Sequence, residues 1–460
     1  MLLPKRKRSF QAEMKREKIV FDRFSNLDKG EKGTLVSYAS KNCEACGGEL
    51  TTGIGLTPYI LPNGEIGVPH LTMPVKQIVI IKEYEAGMNA TIDRPYYVAT
   101  SGHVACYNYQ QTNFMLQMYF EKGMRMVRSR NVDGIECIVM YGSQGVYYYR
   151  LTNGVINCTT TPMKSIGCVH GDRVFTVRAS DSALVYNDPL KRQSIEESVD
   201  NAGELICSVD SGEIVALQSV KEYLYVFYER EIFRMKALGV ARDFVVERVP
   251  YAGGKIKGET VGRLGKYLLF IANDEIWRLD TQSKQSKRIC NHLNIAVAED
   301  QEYCQAVPID NKFFLYYNDK ESDGYKTVAI DPDKEEIYYP FAAEGMSYTD
   351  GRALCCDGFQ FYEYDKDGAL PSWEDYTYSA KTDFGLESEK VLRTLSFEGE
   401  GECTLTLTIE GKLVKKELKI NGNCSFDIFE RGRVFDLKFV LGKGAKIKKM
   451  TAEIQHRGGT

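Results

Sequence analysis

Residues Tyr223–Met235 read YLYVFYEREIFRM, and Tyr267–Leu279 read YLLFIANDEIWRL. Set side by side, an apolar strand, a short polar turn and a second apolar strand ending in aromatic-Arg-aliphatic agree position for position. The offset is 44 residues (267 minus 223). Self-similarity at a period of roughly 20–50 residues marks a repeat architecture, in which each unit buries its apolar face only against its neighbours.

Looser copies of the same pattern occur along the chain: YYVATSGHVACYNY around Val104, CIVMYGSQGVYYYRL around Val146, RVFTVRASDSALVY around Leu184, FFLYYNDKESDGYKTVAI around Val328 and ALCCDGFQFYEYD around Phe359. Seven hairpins result, spaced 31 to 52 residues apart, which brackets the length of one four-stranded propeller blade. The sequence therefore predicts an all-β chain built on a β-propeller over residues 71–370. Seven blades are expected; the long interval from Ile276 to Val328 makes six blades with an irregular insertion the alternative. A β-sandwich array would also give short strands and regular turns. It would not repeat an aromatic-rich second strand at the period of a blade.

Beyond Pro371 the texture changes. Strict period-2 alternation appears in CTLTLTIEGKLVKKELKI (Cys403–Ile420), with Glu410 and Gly411 at a tight turn, and continues in SFDIFERGRVFDLKFVL and IKKMTAEIQ. One apolar and one polar face imply antiparallel sheets packed on a single side. Residues 371–460 are thus expected to form a separate β-sandwich. Residues 1–70 read as an irregular arm: QAEMKREKIV suggests a turn or two of helix, and the polar remainder suits a segment lying along the propeller that also offers a strand to close its ring.

The 460 residues can bury a core without covalent staples. Apolar content of 43% and charged content of 27% are those of an ordinary globular chain, while 29 tyrosines and 40 glycines favour strands and turns. No apolar run approaches the roughly 20 residues of a membrane span, and MLLPKRKRSFQ lacks the apolar centre of a signal peptide. Assembly in the cytoplasm is expected. The 13 cysteines are odd in number and scattered singly through apparent strands, the pattern of reduced, buried thiols. Net charge is −4, yet Lys5, Arg6, Lys7, Arg8, Lys15, Arg16 and Lys18 crowd the start. A solvated or partner-docked arm is the plain reading of that cluster, and nucleic-acid contact the sharper one.

Candidate chemistry is sparse. Cys43 and Cys46 form a Cys-x-x-Cys pair, but a structural zinc needs four ligands, and only the isolated His70, His103 and Cys106 are on offer. Gly53-Ile54-Gly55 lacks the third glycine of a dinucleotide fingerprint, and GGKIKGET (Gly253–Thr260) departs from the phosphate-loop pattern; turn glycines account for both. None of the five histidines accompanies a nucleophile elbow, so no catalytic residue is assigned and no enzyme is expected, nor any cofactor. EYDKDGALPSWE (Glu363–Glu374) is the one candidate cation site. It places Glu363, Asp365, Asp367 and Glu374 at positions 1, 3, 5 and 12 of a calcium-type loop, with Gly368 at position 6 and Leu370 at position 8. Glu in place of Asp at position 1, Pro371 at position 9 and flanking strands favour the competing reading, an acidic interdomain linker. NDKESDG (Asn318–Gly324) reads as a hairpin tip.

One segment carries a family likeness. An aromatic residue, a loop, then Ala-x-x-Asn followed by a Gly-x-Leu and a Gly-Leu before a propeller is supplied by Phe24, Ala39, Asn42, Gly48, Leu50, Gly55 and Leu56. This arrangement resembles the tail-nozzle and head-to-tail joining proteins of short-tailed bacteriophages, which also stabilise packaged DNA. Similar proteins often carry Gly-Gly after the first aromatic, where this chain has Ser25-Asn26. The resemblance implies a structural protein of the virion tail. It also implies a homo-oligomeric ring, typically of six copies, below the portal and adaptor, with duplex DNA passing through and no sequence-specific grip. A net acidic chain is compatible with a conduit, because every phosphate neutralised by Lys or Arg adds salt-sensitive affinity. A monomeric binding propeller such as a carbohydrate-recognising adhesin, and a propeller hydrolase, are the alternatives.

Overall fold

The structure, a computed structural model, describes residues 14–26, 33–45, 48–69, 74–108, 113–120, 123–130, 134–151, 154–188, 202–208, 210–291, 293–299, 304–322, 324–341, 343–371, 374–409 and 412–457. They divide into two compact units: residues 54–335 with 341–369, and the first 53 residues with 336–340 and 370–460.

Among the described residues the larger unit holds seven antiparallel sheets, six with all four strands inside it and one with three. Each expected hairpin is the second and third strand of one sheet. In the fourth sheet Tyr223–Tyr228 and Ile232–Lys236 are flanked by Ile214–Val220 inside and Val245–Val249 outside. In the fifth, Tyr267–Ala272 and Glu275–Asp280 are flanked by Ile256–Leu264 and Gln285–Arg288. The two hairpins share one register: Leu224 faces Met235 as Leu268 faces Leu279, and Val226 faces Phe233 as Phe270 faces Trp277.

The first strands of the seven sheets adjoin in sequence and the last, Glu344–Thr349, packs back beside Val75–Glu85 of the first, so the ring closes. The fold is a seven-bladed β-propeller. The long interval before Val328 is taken up by the connection from Arg288 to Gln305, not by an absent blade. Closure is made by the chain's beginning: Gly55–Pro58 pairs antiparallel with Phe361–Asp365 as the outer strand of the seventh sheet, Tyr362 opposite Pro58 and Asp365 opposite Gly55. The expected ring-closing strand is present.

Between neighbouring sheets the apolar faces interlock. Val79, Ile81, Tyr96, Val98 and Val104 of the first sheet pack on Met126, Ile138, Met140 and Tyr149 of the second, all buried. Burial on this scale contributes about 1.5–3 kcal/mol per large side chain. One polar cluster interrupts this core. Glu83, fully buried, lies 2.9 Å from Arg94 and accepts a 2.7 Å hydrogen bond from the Tyr96 hydroxyl, while Glu85 pairs with the other side of the Arg94 guanidinium at 2.5 Å.

The smaller unit is a sandwich of two sheets, and here the sequence expectation needs correction. The described residues from 14 to 53 form strands, not an irregular arm or a helix, and they belong to the sandwich. Met14–Phe21, which contains MKREKIV, is a strand running antiparallel to Lys446–Arg457, from Met14 opposite Arg457 to Phe21 opposite Met450. Thr34–Lys41 pairs with Tyr376–Thr382, and Cys43–Glu44 and Leu50–Thr52 join the edge of the first sheet. The charged run Lys15, Arg16, Glu17, Lys18 lies exposed along its strand. Helix propensity is a weak prior, and backbone pairing with a distant strand overrides it. The domain boundary expected at residue 70 falls at Gly53 instead. In the C-terminal strands the alternation is as expected: Glu402–Ile409 buries every second residue. Phe24, Leu35, Leu50, Tyr378, Phe435, Phe439 and Ile454 meet in the core. Lys5, Arg6, Lys7 and Arg8, Cys46, His70, Glu410 and Gly411 lie outside the described residues.

Candidate functional site

The residues of the lead-in segment occupy positions with narrow structural demands. Phe24 is buried, edge-on to Tyr378 and Phe439 with centroids 5.9 and 6.4 Å away, and its N–H donates to the Gly48 carbonyl at 3.0 Å. Gly48 has φ +93°, a left-handed value that favours glycine. Asn42, 1% exposed, takes φ +59°, a conformation Asn tolerates better than other side chains. Its N–H donates to the Tyr339 carbonyl at 2.7 Å, its side-chain nitrogen to the Asp375 carbonyl at 3.0 Å, and its own carbonyl accepts from Gly53 at 2.8 Å. Leu50 is fully buried; Ala39 is exposed opposite Ser379. Leu56 and Ala369 exchange two backbone hydrogen bonds of 3.1 Å beside Gly55.

The acidic candidates lie on different elements. Glu363 and Asp365 lie in the strand Phe361–Asp365, and Asp365 accepts from the Thr57 hydroxyl at 2.8 Å and from the Asp367 N–H at 3.0 Å. Asp367 is exposed. Glu374 belongs to the other compact unit, where Lys41 sits 2.5 Å from its carboxylate. Among the described residues, no three His, Cys, Asp or Glu side chains converge as metal ligands. Cys43 is fully buried, and that burial pushes its thiol well up, as it pushes the Cys106 thiol up to about 12. Such thiols pack as small apolar groups. His103 bonds Ser101 at 2.8 Å; the buried His170 bonds Ser219 at 2.9 Å, and desolvation lowers its pKa.

At the propeller's centre, side chains close the free edges of the inner strands. The Gln77 amide both donates to the Met126 carbonyl (2.6 Å) and accepts from its N–H (2.9 Å). Ser347 and Thr349 accept from the N–H groups of Ile78 and Ile80 at 2.9 and 3.0 Å, and Gln305 donates to the Lys76 carbonyl. A cavity of about 360 Å³ remains, lined by Gln77, Arg125, Arg128, Gln305, Ser347 and Asp350 among others. Its arginines are committed: Arg125 to Glu259, and Arg128 to Glu136 at 2.5 Å and Asp350 at 2.7 Å.

A larger cavity, about 850 Å³, opens between the outer strands of the fourth and fifth sheets. Trp277 and Arg288 stand directly opposite each other in its wall. Tyr251 packs edge-on against the indole, centroids 5.2 Å apart, with its hydroxyl donating to the Gly254 carbonyl at 2.8 Å. Arg288 uses Nη1 on Glu275 (2.8 Å) and Nη2 on the Asn291 carbonyl (2.9 Å). Trp277 Nε1 and Arg288 Nε are left without an acceptor. Sequence reasoning did not single out these residues, although the repeat held a signal: Phe233, with no N–H, fills the equivalent position one blade earlier, opposite Arg248.

No family model matches the sequence, and no curated protein matches it. Solved propellers are similar in fold. The WD40 domain of Neurospora crassa Pan2 is 7% identical, with 67% of this chain and 94% of that one covered, at a TM-score of 0.41. YCF48 bound to D1 peptide is 9% identical over 68% and 100% at 0.41. The dihydro-heme d1 dehydrogenase NirN is 12% identical over 81% and 80% at 0.40. Likeness at that level says nothing of function; the blade count rests on the sheets themselves.

Proposed function

We propose that the chain is a structural protein of a short-tailed bacteriophage tail, one subunit of a nozzle or head-to-tail joining ring through which DNA is retained and ejected. One observation carries this reading. The residues on which the resemblance rests are for the most part those that lock the chain's beginning into both compact units: Phe24, Asn42, Gly48 and Leu50 within the sandwich, Gly55 and Leu56 in the strand that closes the propeller. A segment shared for architecture is what a virion component requires, since its task is to hold shape. The pairing of Met14–Phe21 with Lys446–Arg457 ties the two ends of the chain together and fits the same demand.

The central cavity limits how such a protein could serve as a conduit. At about 360 Å³ it has the size of a small-molecule site. Duplex DNA would therefore run between copies of the chain, through the hole of a ring of typically six subunits. The portal, its adaptor and other tail proteins would be the neighbours, and the tail of a virion assembled in the host cytoplasm the location.

Electron microscopy of the purified protein, alone and mixed with the portal and adaptor, tests the proposal. Rings with a central hole are expected. A particle that stays monomeric by light scattering in both conditions would overturn it.

A further inference from the structure

The cavity between the fourth and fifth sheets has a composition unlike a packing defect. Buried indole N–H groups ordinarily find an acceptor, and an unmet buried donor costs about what its desolvation costs. Trp277 Nε1 and Arg288 Nε are both unmet, and they belong to directly opposed residues in one wall. Beside them stands Tyr251, a half-buried ring whose hydroxyl is committed to the Gly254 carbonyl at 2.8 Å and whose face remains for apolar contact.

Charge narrows the ligand further. The four cations around the cavity are already engaged: Arg288 with Glu275 at 2.8 Å, Lys287 with Glu335 at 2.5 Å, Arg248 with Glu231, and Arg278 with the Pro332 carbonyl and, at 4.0 Å, Asp333. Their remaining N–H groups can donate, but no uncompensated positive charge waits for an anion. Phosphate or sulfate would have to compete with these carboxylates for cations already engaged. A ligand rich in neutral oxygen acceptors, with an apolar face to lay against an aromatic ring, suits the wall better. The volume of about 850 Å³ lies toward the upper end of small-molecule sites, large enough for more than one ring.

We propose that this cavity binds a neutral saccharide, with Trp277 and Arg288 donating to its hydroxyl or ring oxygens. Both orphan nitrogens are covered by the protein's own side chains. Tyr251, packed edge-on against the indole, is the cover that yields when a sugar enters. The inference concerns one propeller and stands apart from whether copies assemble into rings.

The test is an array of neutral hexose and N-acetylhexosamine di- and trisaccharides printed beside sulfated and phosphorylated counterparts, probed with the full chain. The best neutral sugar is then titrated in solution by isothermal titration calorimetry, a readout that does not depend on Trp277. Trp277→Phe keeps one aromatic ring, as Phe233 does in the preceding blade, and removes the N–H together with the second ring of the indole. Arg288→Lys keeps the charge beside Glu275 and removes Nε. Each variant is expected to weaken binding about five- to tenfold, with an unchanged melting temperature certifying the fold. Absence of any neutral binder, binding confined to sulfated or phosphorylated sugars, or affinity unchanged in both folded variants would overturn the proposal.

Discussion

A β carbon on Gly55 would lie 2.1 Å from the carbonyl oxygen of Gly368. The two backbones come this close because Leu56 and Ala369 exchange hydrogen bonds at the point where the chain's beginning closes the seventh sheet. Backbone cannot swing away as a side chain can, so Gly55→Ala has to push the closing strand out of register. The expected cost is about 2–3 kcal/mol, near the upper end of overpacking penalties. It would be measured as a lower denaturant midpoint for the propeller. Gly324→Ala, whose β carbon would meet nothing closer than 3.8 Å, should shift the midpoint by less than about 0.5 kcal/mol.

The buried cluster of the first sheet gives a second prediction. Glu83 is fully buried and relies on Arg94 at 2.9 Å and the Tyr96 hydroxyl at 2.7 Å. Arg94→Met removes the nearer cation and leaves Arg150 at 3.7 Å, and breaking a buried pair from one side typically costs about 3–5 kcal/mol. Adding Glu83→Gln should return a large part of the loss, because the charge left behind is the main penalty. A double-mutant cycle by urea denaturation reads this directly; strictly additive losses would show that the two residues are not coupled.

What was legible in the sequence follows from what is local. The pairs Phe233 with Val226 and Trp277 with Phe270 lie within single hairpins, so the apolar pattern and the turn residues between them disclose each blade's centre. The inner and outer strands carried weaker patterns, yet seven hairpins sufficed to count the blades. The beginning of the chain was misread because its order comes from far away: Lys18 faces Glu453, and nothing in MKREKIV states that a partner strand exists. In the acidic stretch after Tyr362, sequence spacing alone could not show that Asp365 ends a strand or that Glu374 is held by Lys41. The wall of Trp277, Arg288 and Tyr251 was only partly legible: Trp277 stands where the preceding repeat has Phe233, but Tyr251 reaches it from the connection between two blades.

Two carboxylates of the seventh blade should shape the pH dependence of stability in opposite senses. Hydrogen bonding to Arg128, 2.7 Å away, holds the Asp350 carboxyl below its ordinary value. Its stabilising contribution is present above the unfolded pKa, near 3.8, and is lost as pH falls through the lower folded value. Burial instead raises Glu344, so the folded state favours its proton and stability declines as pH rises from the unfolded value near 4.5 through the higher folded one. Asp350→Asn should flatten the acid limb of a stability profile taken between about pH 3 and 5. Glu344→Gln should stabilise the protein at pH 7 and lose that advantage toward pH 4. Parallel profiles for variant and parent would refute either assignment.

Asn42 supplies the last prediction, because its backbone and side chain make separable contributions. The residue is 1% exposed at φ +59° and its amide nitrogen donates to the Asp375 carbonyl at 3.0 Å. Asn42→Ala meets two penalties: a β carbon in the left-handed region without a compensating polar group, about 1 kcal/mol or more, and the loss of a part-buried hydrogen bond to the Asp375 carbonyl, about 0.5–1.5 kcal/mol. Asn42→Gly removes the same side chain but relaxes the backbone demand, so only the second penalty remains. Ala should therefore be the more damaging of the two by about 1 kcal/mol, an ordering opposite to that found in an ordinary strand, where Gly is worse than Ala. Urea midpoints of the sandwich for both variants decide the matter. If Gly destabilises as much as Ala, the left-handed turn contributes nothing, and the side-chain bond alone explains the asparagine at this position.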